Sequence, residues 1–144
     1  MPGSLINMSS ILVQITIPVV LALFHVVGPM PTDLATDGGH LNPCPGPEHC
    51  ASSQWIVKDS SAALKQLSER IKATPRTEIV EQRANYLHAT YSSRIFGFVD
   101  DVELSATDAV TLEARSISRL GESDLGVNAQ RLESLGSTIE TSEA

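Results

Sequence analysis

Residues 94–118 read RIFGFVDDVELSATDAVTLEARSIS. Phe96, Phe98, Val102 and Leu104 recur at every second position, with Asp100 in step. Val110, Leu112 and Ala114 then alternate with Thr111, Glu113 and Arg115. A period of two is the signature of a strand with one buried face, so strands are predicted over 94–105 and 109–118. The short polar joint Ala106-Thr107-Asp108 makes the pair an antiparallel hairpin. Neighbouring antiparallel strands bring Asp101 or Glu103 opposite Arg115, where a carboxylate can take two guanidinium hydrogen bonds. Asp100 lies on the apolar phase, so it is either at a bulge or turned inward, and an inward carboxylate needs a partner, because burying it alone is costly. Arg119 and Arg131 are the candidates.

Outward from this hairpin, two more strand-like runs precede it, at 77–82 and 84–92, joined at Gln82-Arg83. In the second, Leu87, Ala89 and Tyr91 share one face while Tyr86, His88 and Thr90 share the other. A helix is predicted over 61–73, capped by Asp59 or Ser60. Leu64, Leu67 and Ile71 form its apolar stripe, and Pro75 ends it. A second helix is predicted over 127–139 from the spacing of Leu132, Leu135 and Ile139. The expected architecture is α+β, a four-stranded antiparallel sheet with two helices packed on one face.

All 27 charged residues lie after position 32, and they leave a net charge of −7. Such a balance excludes a nucleic-acid backbone as partner, which needs clustered Lys and Arg. Residues 11–30, ILVQITIPVVLALFHVVGPM, carry no charge, and twelve of these twenty are Ile, Leu, Val or Phe. Twenty helical residues span roughly 30 Å, the thickness of a bilayer's hydrocarbon core. One N-terminal transmembrane helix is therefore expected before the sheet. A cleaved signal peptide fits less well, since MPGSLINMSS lacks a basic residue and no good small-x-small site follows. His25 is the ionisable group of this span, and the readings for it are an interfacial position, a contact with a neighbouring helix or a pigment ligand. The expected layout is an anchor over 1–32, a linker over 33–40 (DLATDGGH) and an extracytoplasmic domain over 41–144.

Cys44 and Cys50 flank a turn containing Pro45 and Pro47. A disulfide here closes a short loop and implies an oxidising compartment such as a periplasm or thylakoid lumen. Free thiols and a metal site built with His40 and His49 are the alternatives. The spacing of the metal set is not a usual zinc pattern, so no metal is expected.

Several of these pieces also carry a resemblance. Pro43-Cys44-Pro45 with Cys50-Ala51-Ser52-Ser53, the run Phe96 to Glu103, Arg115-Ser116-Ile117-Ser118-Arg119, and Ser123-Asp124-Leu125-Gly126-Val127-Asn128 with Arg131 occur in that order. Together they resemble the domain of unknown function 1499 family of bacteria and plastids. Leu120 and Glu122 flank Gly121 where such sequences commonly carry an aromatic residue. The resemblance implies an exported or membrane-tethered domain and supplies no catalytic residues.

The polar cluster is thus Asp100, Asp101, Glu103, Arg115, Arg119, Asp124, Asn128 and Arg131. It reads first as an ion-pair network locking strands to the last helix. The rival is an active site with Asp100 or Asp101 as general base and Arg115 and Arg119 as anion clamp. No nucleophile elbow, phosphate loop or metalloprotease motif is present, Ser52 and Ser53 read as a solvated turn, and no cofactor is expected. The expected role is a non-catalytic accessory subunit or assembly factor of an integral membrane complex, photosynthetic or respiratory, tethered in the lipid bilayer. The alternative is a periplasmic or lumenal enzyme or small-ligand binder using the Asp/Arg cluster.

Overall fold

The computed structural model describes residues 27–140. Its centre is a five-stranded, fully antiparallel sheet in the order β3-β7-β6-β5-β4, made of Cys50–Ile56 (β3), Thr77–Gln82 (β4), Tyr86–Ser92 (β5), Val99–Ala106 (β6) and Thr111–Ser118 (β7). A separate two-stranded hairpin joins β1 (Thr36–Asp37) to β2 (His40–Leu41). Helix α1 (Ser60–Ala73) leads from the β3 edge to the opposite edge, β4, and packs beneath β4, β5, β6 and β7 on the way. Helix α2 (Val127–Gly136) lies beneath β3 and β7.

Both helices therefore cover one face, as expected. The alternation predicted that face, which carries Leu87, Ala89, Val102, Leu104, Leu112 and Ala114 against Leu64, Leu67, Ile71, Leu132 and Leu135. Asp59 caps α1 by accepting from the Ala62 backbone N–H at 2.9 Å.

Three expectations are corrected. The sheet has five strands and not four, because Cys50–Ile56 pairs along its whole length with β7. The stretch expected to be a linker forms the β1–β2 hairpin, whose two-residue turn Gly38-Gly39 has φ of +58° and +91°. That double positive φ is the geometry glycine adopts without steric cost. The strand expected from residue 94 begins at Val99, since Ser93 N–H donates to the Phe98 carbonyl at 2.8 Å and closes a loop before it.

Most of the predicted anchor, including His25, lies outside the described residues. Its described part, residues 27–32, is not helical. Among the described residues no helix is long and apolar enough to cross a membrane.

Candidate functional site

Alternation sends Asp101, Glu103 and Ser105 of β6 to the face away from the helices. Register places Arg115 of β7 directly opposite Glu103, and His88 of β5 on its other side. Water would normally solvate such a face. Here the segment 33–41 runs across it, and Asp101, Glu103, Ser105 and Arg115 are fully buried.

Each charge under that cover has partners. Glu103 Oε1 accepts from Tyr86 O–H and from the Ala35 backbone N–H, both at 2.7 Å. Its Oε2 accepts from Arg115 Nη1 at 3.1 Å. Arg115 also donates to the Asp33 carbonyl at 3.2 Å and to Asp33 Oδ2 at 2.5 Å. Its Nε alone lacks a partner. Ser105 donates to the Gly39 carbonyl at 2.9 Å. At the hairpin's end, Glu113 accepts from the Leu41 N–H at 2.9 Å and pairs with His40 Nδ1 at 2.8 Å.

A second group on the same face centres on Asp101. Arg119 grips it with a fork, Nε to Oδ2 at 2.7 Å and Nη2 to Oδ1 at 2.9 Å. His88 Nε2 lies 2.7 Å from Oδ1. Burial alone would raise the Asp101 pKa, but the hydrogen bonds from Arg119 and then His88 outweigh it and hold the carboxyl below its ordinary range. An ionised carboxylate only accepts, so His88 carries its proton on Nε2 and keeps Nδ1 free as an acceptor or a second donor. Tyr86 is shifted upward by burial first and by its bond to Glu103 second.

The remaining predicted residues gather on the helix face. Asp100, in the apolar phase, accepts from Arg131 Nη2 of α2 at 2.7 Å. Arg131 Nη1 donates to Ser116 Oγ at 2.9 Å and Asn128 Oδ1 at 2.7 Å, with its guanidinium 4.7 Å from the Tyr91 ring centroid. Buried Asn128 donates to the His49 carbonyl, Ser118 Oγ and Asp124 Oδ2. Burial acts to raise the Asp124 pKa, while hydrogen bonds from the Gly126 and Asn128 backbone and the Asn128 side chain bring it below its ordinary range.

The eight residues expected as one cluster therefore form two networks on opposite faces of one sheet. Asp101, Glu103, Arg115 and Arg119 lie under the N-terminal segment, and Asp100, Asp124, Asn128 and Arg131 join α2 to β6 and β7. Of the two partners considered for Asp100, Arg131 is the one that binds it. Sequence reasoning missed Asp33, Tyr86 and His88. Tyr86 and His88 stand in phase on the polar side of β5, a signal that they share a face with Asp101 and Glu103.

The two cysteines are joined as a disulfide. Among the described residues no group of His, Cys, Asp and Glu is placed to hold a metal ion. Ser52 Oγ lies 3.3 Å from Cys44 Sγ, beside a hollow of about 590 Å³. A second hollow of about 560 Å³ is lined by Met30, Leu34, Val80, Tyr86 and His88 among others.

The class these features define is a small disulfide-bonded α+β domain, with an antiparallel sheet that has helices on one face and a sealed ion-pair layer on the other. The chain matches the family model described as protein of unknown function (DUF1499) over residues 32–139 and belongs to that family. No curated protein and no solved structure matches it.

Proposed function

We propose that this chain is a membrane-tethered accessory domain that docks onto or stabilises a larger integral membrane complex from an oxidising compartment. The observation that carries the reading is that the charged groups best suited to chemistry are spent on one another. Arg115, Glu103 and Asp33 close on themselves beneath residues 33–41, Arg119 forks onto Asp101, and Arg131 holds Asp100. An anion clamp needs guanidinium donors free for a ligand, and these are committed. The Cys44–Cys50 bridge fits an oxidising space, and the uncharged residues 11–30 supply the tether. The experiment is gentle detergent solubilisation of native membranes, followed by mass spectrometry of what co-migrates with the chain. A reproducible integral membrane partner is expected; a chain that migrates alone overturns the reading.

A second reading, a small-ligand binder or enzyme, draws on one observation. His88, already paired with Asp101, lines the 560 Å³ hollow together with apolar side chains. Such a dyad is suited to proton transfer. Shifts of the His88 ring resonances on adding a small-molecule library would favour it.

A further inference from the structure

Five large apolar side chains stand exposed at one end of the sheet. Ile95, Phe96 and Phe98 come from the β5–β6 loop, Leu125 from the β7–α2 connection and Val127 from the first residue of α2. Four of them form one surface, and Ile95 precedes Phe96 in the same loop. The Phe96 and Phe98 rings stack with centroids 5.5 Å apart, and Phe98, Leu120, Leu125 and Val127 line a common hollow.

The two loops are built to hold this surface out. Ser93 N–H to Phe98 O at 2.8 Å and Phe98 N–H to Ser93 Oγ at 3.0 Å close the first loop, which turns at Gly97 with φ +67°. In the second loop Leu125 adopts φ +54°, a conformation L side chains rarely take, and is 87% exposed. Asp124 fixes that turn by accepting from the Gly126 N–H at 2.8 Å. A strained backbone that presents a leucine to solvent is a feature to be explained by what the leucine meets.

The chain's own N-terminal segment indicates what that is. Buried Gly28 sits directly against Leu120 and Arg119, so closely that a methyl group there would meet Leu120 Cγ at 2.6 Å. The uncharged run 11–30 therefore joins the domain at this end, beside the exposed loops. Strand direction agrees, since Ser92, Val99 and Ser118 all lie at the same end of the sheet.

We infer that Ile95, Phe96, Phe98, Leu125 and Val127 form a lipid-facing tip that dips into the bilayer interface and sets the orientation of the domain on the membrane. This rests on the tethered reading above and adds a second point of contact. A tether alone leaves a domain free to tumble above the surface. An apolar patch beside it, immersed to the depth of the headgroup and acyl boundary, fixes which face looks outward. The sheet's other end, with Trp55 opposite Leu112 on β3 and β7, is then held in water.

The test uses the full chain reconstituted in phosphatidylcholine vesicles, with and without brominated acyl chains. Trp55 is the chain's one tryptophan and reports the far end. In Phe96→Trp a second indole reports the tip. The expected result is that the chain floats with vesicles, the added indole emits blue-shifted and loses most of its intensity to bromolipid, and Trp55 in the parent is unquenched. Leu125→Asp combined with Ile95→Asp should restore access of acrylamide to the added indole while flotation is unchanged. A floating chain whose added indole stays water-exposed overturns the tip and leaves the tether standing. A blue-shifted indole insensitive to bromolipid, with a concentration-dependent dimer, assigns the surface to a second copy and overturns it equally. A chain that stays in the aqueous fraction overturns tether and tip together.

Discussion

Glu103 and Arg115 are cross-strand register partners on β6 and β7, both fully buried, with Oε2 and Nη1 3.1 Å apart. A pair of this kind is weak evidence for stability as it stands, because desolvating two charges offsets much of their attraction. Removing one partner is another matter. Arg115→Met leaves the Glu103 carboxylate buried with only Tyr86 and the Ala35 N–H for partners, and it frees Asp33. The expected cost is about 3–5 kcal/mol, read from urea denaturation. The double variant Arg115→Met with Glu103→Gln should recover a large part of that loss. If the single variant unfolds at the same urea concentration as the parent, the pair is not structural.

The pH dependence follows from Asp101 and Tyr86, two of the shifted groups on the same face. The folded state holds Asp101 below its ordinary value of 3.8, so its stabilising contribution is complete above that value and is lost as pH falls through the lower folded pKa. The folded state raises Tyr86 above its ordinary 10.0, which makes its contribution complete below pH 10 and lost as pH climbs beyond. Stability measured across pH should therefore fall at both extremes. Asp101→Asn should flatten the acid side and Tyr86→Phe the alkaline side. An alkaline limb of the same steepness in Tyr86→Phe would remove Tyr86 from the account.

The hairpin at 94–118 was legible because its two faces differ in polarity, and alternation reports that difference directly. Strand β4 was legible over its full length, and the position of Asp100 in the apolar phase marked it as either at a bulge or turned inward. Strand β3 was not. Its sequence CASSQWI places Ala51, Ser53 and Trp55 toward the helices, its Ala51-Ser52-Ser53 run is small and polar enough to pass for a turn, and its partner β7 lies some sixty residues away. A pairing so distant leaves no local mark. The cover over the polar face was hidden for a different reason. Residues 33–41 satisfy the polar groups beneath them largely through backbone N–H and carbonyl groups, at Asp33, Ala35, Gly39 and Leu41, and every sequence offers those groups. Gly38 and Gly39, expected within a linker, are the turn of that cover.

Truncation probes the cover itself. Asp33→Ala removes one charged partner of Arg115 and exposes nothing else. The expected loss is about 1–2 kcal/mol, in the range of a hydrogen bond to a charged group. A chain lacking residues 27–41 should lose far more, since Glu103 and Arg115 then face water with the Ala35 N–H and the Asp33 carbonyl gone. Hydrogen exchange at β6 should accelerate in the truncated chain. Unchanged protection of the Val102 and Leu104 amides would mean that the cover is an ornament of the sheet.

The disulfide gives a smaller effect. Cys44 and Cys50 enclose a short loop, and the chain-entropy model assigns such a loop roughly 2 kcal/mol. Pro45 and Pro47 already restrict the unfolded segment, which lowers the gain. Reduction, or Cys44→Ser with Cys50→Ser, should shift the denaturation midpoint modestly while the sheet persists, because buried Cys50 remains paired with Ile117 along β3. Global unfolding on reduction would show that the bridge holds the β3 edge in place.

Asn128 joins more elements than any other neutral side chain described. It accepts from Ser116 Oγ at 2.6 Å and from Arg131, and it donates to His49, Ser118 and Asp124, so α2, β7 and the loop ahead of β3 meet on one amide. Asn128→Leu keeps the branched shape at a larger volume and makes none of these bonds. It removes one of the hydrogen bonds to the Asp124 carboxylate and leaves the buried Ser116 hydroxyl without its acceptor, the latter at a cost of about 1–3 kcal/mol. Asn128→Asp keeps the shape and the acceptor but places a negative charge beside Asp124, and Arg131 can offset it in part. Thermal melts should rank the parent above Asn128→Asp and Asn128→Leu last. A leucine variant as stable as the parent would mean that α2 is held by Leu132 and Leu135 alone, and that the polar network on this face contributes nothing to its docking.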